Sequence, residues 1–241
     1  MVEVAHVCFV QKGVIYDHWL YLPMVGLALL LSMVVCLVVA DERVRLALLG
    51  CCVIVLGGMT YQRNQVWQTC RGVWEDVLAH CPNDELPLIN LAVDYSRRGD
   101  FDKAVFYYTK ALTLGNNLSP LRAAQIYANL SAVYGHQGDY SQELFFSQKA
   151  IELDPASAQG YGNAGMALGA MGKSSQALWY LQRALEINPS DSNAHNNLGI
   201  VYGKTGNLPA ATHHFQKALE FNPDNAMARQ NLAAVESLQK N

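Results

Sequence analysis

The chain has 241 residues and a formal net charge of −3, with 51% apolar and 15% charged residues. A weakly acidic chain lacks the surplus of basic residues that nucleic-acid binding requires, so nucleic acid is not an expected partner. The charged fraction lies well below the roughly one quarter usual in soluble domains, and the deficit is concentrated in the first sixty residues.

These first residues predict a membrane hairpin over residues 1–61. Tyr21–Ala40 is twenty residues long without a charge, a length that spans the core of a bilayer. A buried helix of a soluble protein is the alternative interpretation of this run. After a tight polar turn at Asp41–Arg45 comes a shorter apolar run, Leu46–Met59, which spans only if its flanking residues contribute. We therefore expect spans at about residues 21–40 and 44–61.

Residues that flank the two runs predict an orientation. Aromatic residues lie at the same end of both spans, as in an interfacial belt: Trp19, Tyr21, Tyr61 and Trp67. Arg43 and Arg45 mark the connector as cytoplasmic under the positive-inside rule, against three cationic residues at the other end: Lys12, Arg63 and Arg71. On balance, the rest of the chain is expected on the extracytoplasmic side, periplasmic or lumenal.

Residues 62–84 predict a linking helix. Residues 62–79 have helical spacing, and Trp74 and Pro82 fall at positions 24 and 32 of the repeat that follows. The segment therefore has the form of half a repeat, and we expect the second span to continue into it with a break near Gly57–Gly58.

From Glu85 onward the sequence repeats with a period of 34 residues. Such self-similarity indicates a solenoid of helix–turn–helix units. Five extra residues, Ser119–Ala123, separate the first two copies, and residues 226–241 copy the first helix once more as a cap. The four copies are 85–118, 124–157, 158–191 and 192–225.

Each copy has the same residue type at several positions. Position 8 is small, position 27 is alanine, and position 32 is proline in three of the copies. Position 15 is always glycine, and we expect it to end the first helix in a left-handed conformation: Gly99, Gly138, Gly172 and Gly206. This pattern resembles the tetratricopeptide repeat. The predicted fold class is therefore all-α, a transmembrane helical hairpin followed by an α-α superhelix.

Two departures from the pattern carry structural expectations. Asn116 replaces the terminal proline of the first copy beside the five-residue insertion, which predicts a longer and looser joint. Position 20 is alanine in three copies but Glu143 in the second, where a buried carboxylate would need a local shift or a neighbouring hydrogen-bond donor.

Position 6 provides the candidate binding site, because it is asparagine in every first helix: Asn90, Asn129, Asn163, Asn197 and Asn231. Asparagine forms helices poorly, so its recurrence needs a reason, for which family consensus without function is the alternative. An amide can bond both the C=O and the N–H of an extended peptide. The row resembles the asparagine ladder in the repeat domain of O-GlcNAc transferase. Other small or polar groove positions complete the candidate peptide-binding set: Gln125, Gln159, Asn193, Asn196 and Lys204.

Other sequence patterns do not predict a nucleotide-binding, metal-binding or catalytic site. ALGAMGKS (167–174) fits a loose phosphate-loop motif but lies across a helix end without the preceding strand that the motif requires. His213 and His214 point about 100° apart on a helix and cannot chelate one metal together. No nucleophile–base pair and no metal cluster can be argued, so neither a cofactor nor a catalytic residue is expected.

The front part has a second resemblance. Tyr21-Leu22-Pro23, then RNQVW at residues 63–67, then the repeats, is similar to the tail of polytopic O-mannosyltransferase-like membrane glycosyltransferases. The resemblance implies that this chain is the acceptor-binding, carboxyl-terminal portion of such an enzyme, or a relative that has lost the catalytic half. The first hypothesis is a membrane-anchored scaffold that binds a protein or peptide partner in its groove, and the glycosyltransferase tail is the alternative.

Overall fold

A computed structural model describes residues 30, 32–66, 68–114 and 118–239, and all regular structure in these residues is α-helical. The chain divides into two compact units, Met1–Asn83 and Asp84–Asn241.

In the first unit, residues 32–38 are helical, and two further helices follow, α1 (Glu42–Val66) and α2 (Cys70–His80). The predicted polar turn is largely the start of α1, because the Asp41 carboxylate accepts the Arg43 N–H at 2.8 Å. Within α1, Glu42–Tyr61 is long and apolar enough to cross a membrane. The first predicted span lies mostly outside the described residues, so the hairpin stays a prediction.

The break expected near Gly57–Gly58 is wrong. α1 continues through both glycines to Val66, and a new helix begins at Cys70. The Thr69 hydroxyl caps this helix by accepting the Gly72 N–H at 3.0 Å. A cap of this kind satisfies an otherwise unpaired N–H of the first turn, which fixes the helix start at this point.

The second unit consists of helices paired along the chain. They are α3 (Glu85–Arg97), α4 (Phe101–Thr113), α5 (Pro120–Gln137), α6 (Tyr140–Leu153), α7 (Ala158–Ala170), α8 (Ser174–Ile187), α9 (Ser192–Lys204), α10 (Leu208–Phe221) and α11 (Ala226–Gln239). Each 34-residue copy contains one pair, and α11 follows the last pair.

The left-handed glycines are confirmed at the turn inside each pair. Gly99, Gly138, Gly172 and Gly206 have φ between 78° and 79°, a conformation that costs other residues free energy. In three pairs the next residue then caps the second helix, with a side chain that accepts a backbone N–H: Asp100, Asp139 and Asn207. In the third pair this residue is Lys173, which makes no capping bond.

Small residues at position 8 allow the two helices of a pair to approach closely. A Cβ built on Gly165 would lie 2.5 Å from Leu181 Cγ, and one built on Gly199 would lie 2.5 Å from Phe215 Cε1. Both distances are shorter than real Cβ contacts. In these two pairs Leu181 and Phe215, both at position 24, therefore occupy the volume that a position-8 side chain would fill.

The repeats stack in two layers. Each first helix contacts the first helix of the next repeat, in the order α3, α5, α7, α9 and α11. The second helices α4, α6, α8 and α10 make their close contacts with the first helices on either side of them. Because the first helices approach one another more closely, the array curves into a superhelix with the first helices on the inside.

The expected looser joint is wrong for the insertion. Pro120–Ala123 form an extra turn at the start of α5, which has 18 residues where α3, α7 and α9 have 13. The Ser119 hydroxyl caps this turn by accepting the Arg122 N–H, and proline suits the first turn because its missing N–H is not needed there. Residues 115–117 lie outside the described residues.

Of the two expected ways to accommodate Glu143, a neighbouring hydrogen-bond donor is not found among the described residues. Its side chain is 0% exposed, and neither carboxyl oxygen has a hydrogen-bond partner in the part of the chain that the structure describes. Space for the carboxyl comes from Gly135 of α5, where a Cβ would lie 2.6 Å from Oε1. Burial raises the pKa of Glu143 to about 8, so the group is held protonated at neutral pH.

Candidate functional site

The inner face of the first helices carries the predicted site. In each copy it is formed by positions 2, 5, 6, 9, 12 and 13, and we call this surface the inner groove. None of these positions is an aspartate or glutamate in any copy or in the cap. Arg97 and Lys204, both exposed, occupy position 13 near the two ends. The inner groove therefore carries no negative charge, and it is amide-rich and weakly basic.

Asn163 connects two repeats. Its Nδ2 group donates to the Ala128 carbonyl at 2.9 Å and to the Ser131 hydroxyl at 2.6 Å, both on α5. The side chain is half-buried. Both amide hydrogens are thus used between α5 and α7, and only the Oδ1 atom remains for a ligand.

The amides of Asn129 and Gln159 join the same two helices. Gln159 Nε2 donates to Asn129 Oδ1 at 3.1 Å, which leaves the Gln159 oxygen available. Tyr108 of α4 lies beneath this pair. Burial raises the pKa of Tyr108 to about 12, and a hydrogen bond with Asn129 lowers it in part, so the phenol is neutral.

The same kind of contact recurs toward the cap. Asn231 Nδ2 donates to Asn196 Oδ1 at 3.0 Å between α11 and α9, and Lys204 Nζ donates to the Gly169 carbonyl at 3.2 Å between α9 and α7. Asn196 is only 1% exposed, so it belongs to the repeat interface and is corrected from a groove residue to a structural one. Asn90 Nδ2 donates to Leu86 O within its own helix.

Asn197 differs from the other members of the row. It is half-buried at the middle of α9, and its side chain makes no hydrogen bond to any described residue. Gln125 and Asn193 are exposed, and their side-chain amides are also unpaired within the described part of the chain. These three residues keep their full donor and acceptor capacity for a ligand.

A second row was missed from the sequence. Position 9 follows the asparagine by three residues and so lies on the same helix face. It is apolar and half-buried in all four copies: Val93, Ala132, Met166 and Ile200. The recurrence of an apolar residue every 34 residues would have been enough to predict this row, apart from the insertion before the second copy. An apolar row beside the amides gives a bound chain a surface for its side chains as well as its backbone.

The histidines of the fourth repeat are packed rather than assembled as a metal site. His214 is half-buried and stacks on Tyr202 with ring centroids 5.4 Å apart, while His213 is exposed. The Nδ1 atoms of His214 and His195 are 3.1 Å apart, and His195 Nε2 lies 3.2 Å from the Pro189 carbonyl. Burial lowers the pKa of His214 to about 4, and His195 and His213 lower it further. In the described residues, no three His, Cys, Asp or Glu side chains could hold a metal ion together.

Comparisons with known proteins agree with this architecture. Models described as tetratricopeptide repeat match residues 85–156 and 192–225, and one described as TPR repeat matches residues 170–206. Together the three models cover more than half of the chain. No curated protein matches the sequence.

Several solved structures have the same fold. MamA residues 41-end from Desulfovibrio magneticus RS-1 superposes with a TM-score of 0.54 at 21% identity, over 71% of this chain and 93% of that one. YrrB, described as a TPR protein with an unusual peptide-binding site, gives 0.51 at 20% identity over 74% and 89%. Another MamA structure gives 0.51 at 24% identity over 64% and 86%.

Proposed function

We propose that the chain, which belongs to the tetratricopeptide-repeat family, is a scaffold that binds extended segments of partner proteins along its inner groove. The unpaired amide of Asn197 is the observation that carries this proposal. No described protein group occupies this amide, so its two donors and one acceptor are available to the backbone of a ligand. The similar protein YrrB is described as having a peptide-binding site, which supports the class of ligand.

The side chains of the inner groove favour hydrogen bonds to the backbone of a bound peptide over recognition of its sequence. Asn197, Gln125 and Asn193 each offer a donor pair and an acceptor, which match the N–H and C=O of an extended chain. The Asn163 amide, fixed by its inter-repeat bonds, adds one oxygen at a defined position. Fixed groups cost less ordering entropy on binding than mobile ones.

A membrane anchor is the second part of the proposal. The apolar stretch Glu42–Tyr61 in α1 is long enough to cross a bilayer, and none of it is buried by other described residues. We propose that residues 1–61 hold the scaffold at a membrane, with the repeats on the extracytoplasmic side. Sodium carbonate washing should leave the full chain in the membrane fraction, and its release would contradict the anchor.

The binding test uses single substitutions in the full chain, purified in mild detergent. Asn197→Ala should weaken binding of an unstructured peptide library by about three- to tenfold, since one or two backbone hydrogen bonds are lost. Its melting temperature should not fall, because alanine forms helices better than asparagine. Gln216→Ala removes an exposed amide from α10, outside the groove, and serves as the matched control.

Asn163→Ala separates the two roles of the row. It removes two bonds between α5 and α7, so the melting temperature should fall along with any loss of affinity. If Asn197→Ala binds as well as the wild type, the inner groove is not the peptide site.

The alternative function is the acceptor-binding tail of a membrane glycosyltransferase that uses a lipid-linked sugar. The order of the motifs Tyr21-Leu22-Pro23 and Arg63-Asn64-x-x-Trp67 ahead of the repeats favours it. The genomic sequence upstream of Met1 decides between the two functions. A continuous frame with many further spans and an acidic loop would support the enzyme, and a stop codon directly upstream would exclude it.

A further inference from the structure

A second groove lies on the outer face of the array, between α6 and α8. Its volume is about 480 Å³, within the range of ligand-binding clefts. The lining comprises Leu144 and Gln148 of α6, Leu168 of α7, Gln176, Trp179 and Tyr180 of α8, and Lys173 at the turn before α8. Its floor is apolar at the two leucines, its wall is aromatic, and its rim has two amides and one cation. We call this surface the outer groove.

Trp179 is the exposed aromatic wall. Its side chain is 58% exposed, although indole is a large apolar surface that proteins usually cover. Tyr161 and Tyr180 contact its edges, with centroids 6.2 Å and 4.9 Å away, and hold the indole in a T-shaped arrangement. The ring is therefore oriented by the protein while much of its surface remains uncovered.

Lys173 departs from the other repeats in a way that folding does not explain. At the equivalent position, Asp100, Asp139 and Asn207 cap the second helix. Lysine makes no cap and places a positive charge beside the positive end of the helix dipole, so it costs stability. Lys173 is exposed and is in none of the ion pairs found in the described residues.

We propose that the outer groove binds an acidic, extended peptide segment that inserts one apolar side chain between Trp179 and the leucine floor. The lining contains no carboxylate, so an aspartate or glutamate of the ligand meets Lys173 without competition. Gln148 and Gln176, both exposed, provide donors and acceptors to the ligand backbone. Aromatic walls are a common anchor for peptide side chains. This site is separate from the inner groove and lies on the opposite layer of helices.

Lys173→Asp tests the proposal with opposite effects on stability and binding. The substitution restores the cap of the other repeats, so the melting temperature should rise. It also reverses the charge in the outer groove. Affinity for a fluorescein-labelled nine-residue peptide, with a central leucine among aspartates and serines, should therefore fall by at least about tenfold. The full chain in mild detergent is titrated by fluorescence anisotropy, beside the same peptide with lysine for aspartate.

Trp179→Ala should also lower the affinity for the acidic peptide by about tenfold. Phe106→Ala is the matched control, because Phe106 occupies the same repeat position with the same 58% exposure and does not line the outer groove. This control should stay within about twofold of the wild-type Kd.

Three results would overturn the proposal. One is preference of the wild type for the lysine peptide, and another is an unchanged Kd in Lys173→Asp. The third is an equal loss in Phe106→Ala and Trp179→Ala, which would indicate general apolar adhesion. If Asn197→Ala alone abolishes binding, the acidic peptide occupies the inner groove instead, and the outer groove is not its site.

Discussion

The carboxyl of Glu143 is enclosed where the other repeats have an alanine methyl group. It fits because Gly135 has no side chain, but it has no polar contact to replace the water lost on burial. A neutral carboxylic acid costs far less to bury than a carboxylate, so the folded protein retains the proton.

This retention predicts an unusual dependence of stability on pH. The pKa of Glu143 is about 8 in the folded protein against an ordinary 4.5, so between these values the folded state binds a proton that the unfolded state does not. The free energy of unfolding should therefore decrease by up to about 1.4 kcal/mol per pH unit as pH rises from about 4.5 to about 8. Above about 8 the contribution is fully lost.

Urea unfolding at about pH 5 and about pH 8 measures this effect, with Glu143→Gln as the control that titrates at neither pH. As pH rises, the unfolding free energy of the wild type should fall relative to that of the control. A difference that is the same at both pH values would mean that Glu143 is solvated in the folded protein.

Within the helix pair α9 and α10, one glycine of α9 faces a large side chain and another does not. Gly199 and Gly203 are four residues apart on α9. A Cβ at Gly199 would lie 2.5 Å from Phe215, whereas one at Gly203 meets only Ala211 Cβ at 3.9 Å. Alanine favours helix over glycine by about 1 kcal/mol when nothing obstructs it.

The two substitutions to alanine should therefore have opposite signs. Gly203→Ala should stabilise the protein by up to about 1 kcal/mol. Gly199→Ala should destabilise it by about 1–3 kcal/mol, since Phe215 must move within a packed core. Melting temperatures of the two variants test this directly, and equal stabilisation by both would show that α9 and α10 can separate without cost.

Local patterns in the sequence predicted the elements well where one residue decides the outcome. The left-handed turns followed from a glycine at position 15. Contacts between residues far apart in sequence could not be predicted in the same way. The space for Glu143 depends on Gly135 in a neighbouring helix, and the structural role of Asn163 depends on Ser131 one repeat earlier.

The points at which helices begin and end were also hard to predict from the sequence. Gly57–Gly58 suggested a break, yet glycine in a helix interior costs only about 1 kcal/mol each, which a long helix can absorb. The insertion before the second repeat became an extra helical turn because Ser119 and Pro120 form a good helix start. The 34-residue period shows that residues are inserted here, but it does not tell whether they form a loop or extend the helix.

The whole array depends on its terminal helix. Val235 of α11 packs on Ala211 and Phe215, with Leu232 at the edge of the same cluster. Since an array of stacked repeats exposes an apolar face wherever it ends, a cap with a polar outer side is required for solubility.

The second unit should accordingly fold alone only with this helix. Residues 84–241 should be soluble and strongly helical, because the fragment has four repeats, which exceeds the minimum of about three, and a cap. Residues 84–225 should show a lower melting temperature and should aggregate, because Phe215 loses its cover. Far-ultraviolet circular dichroism and sedimentation of both fragments check this, and equal behaviour would remove any capping role from α11.

The side-chain hydrogen bonds between successive first helices all run in the same direction along the described chain. Gln159, Asn163, Lys204 and Asn231 each donate from the later repeat to an acceptor on the earlier one. A ribosome releases the earlier repeat first, so a nascent array presents oxygen acceptors, which water satisfies readily. Each repeat that follows supplies its own N–H donors and docks on a finished surface. This direction would let each later repeat dock its donors on an earlier repeat that has already folded.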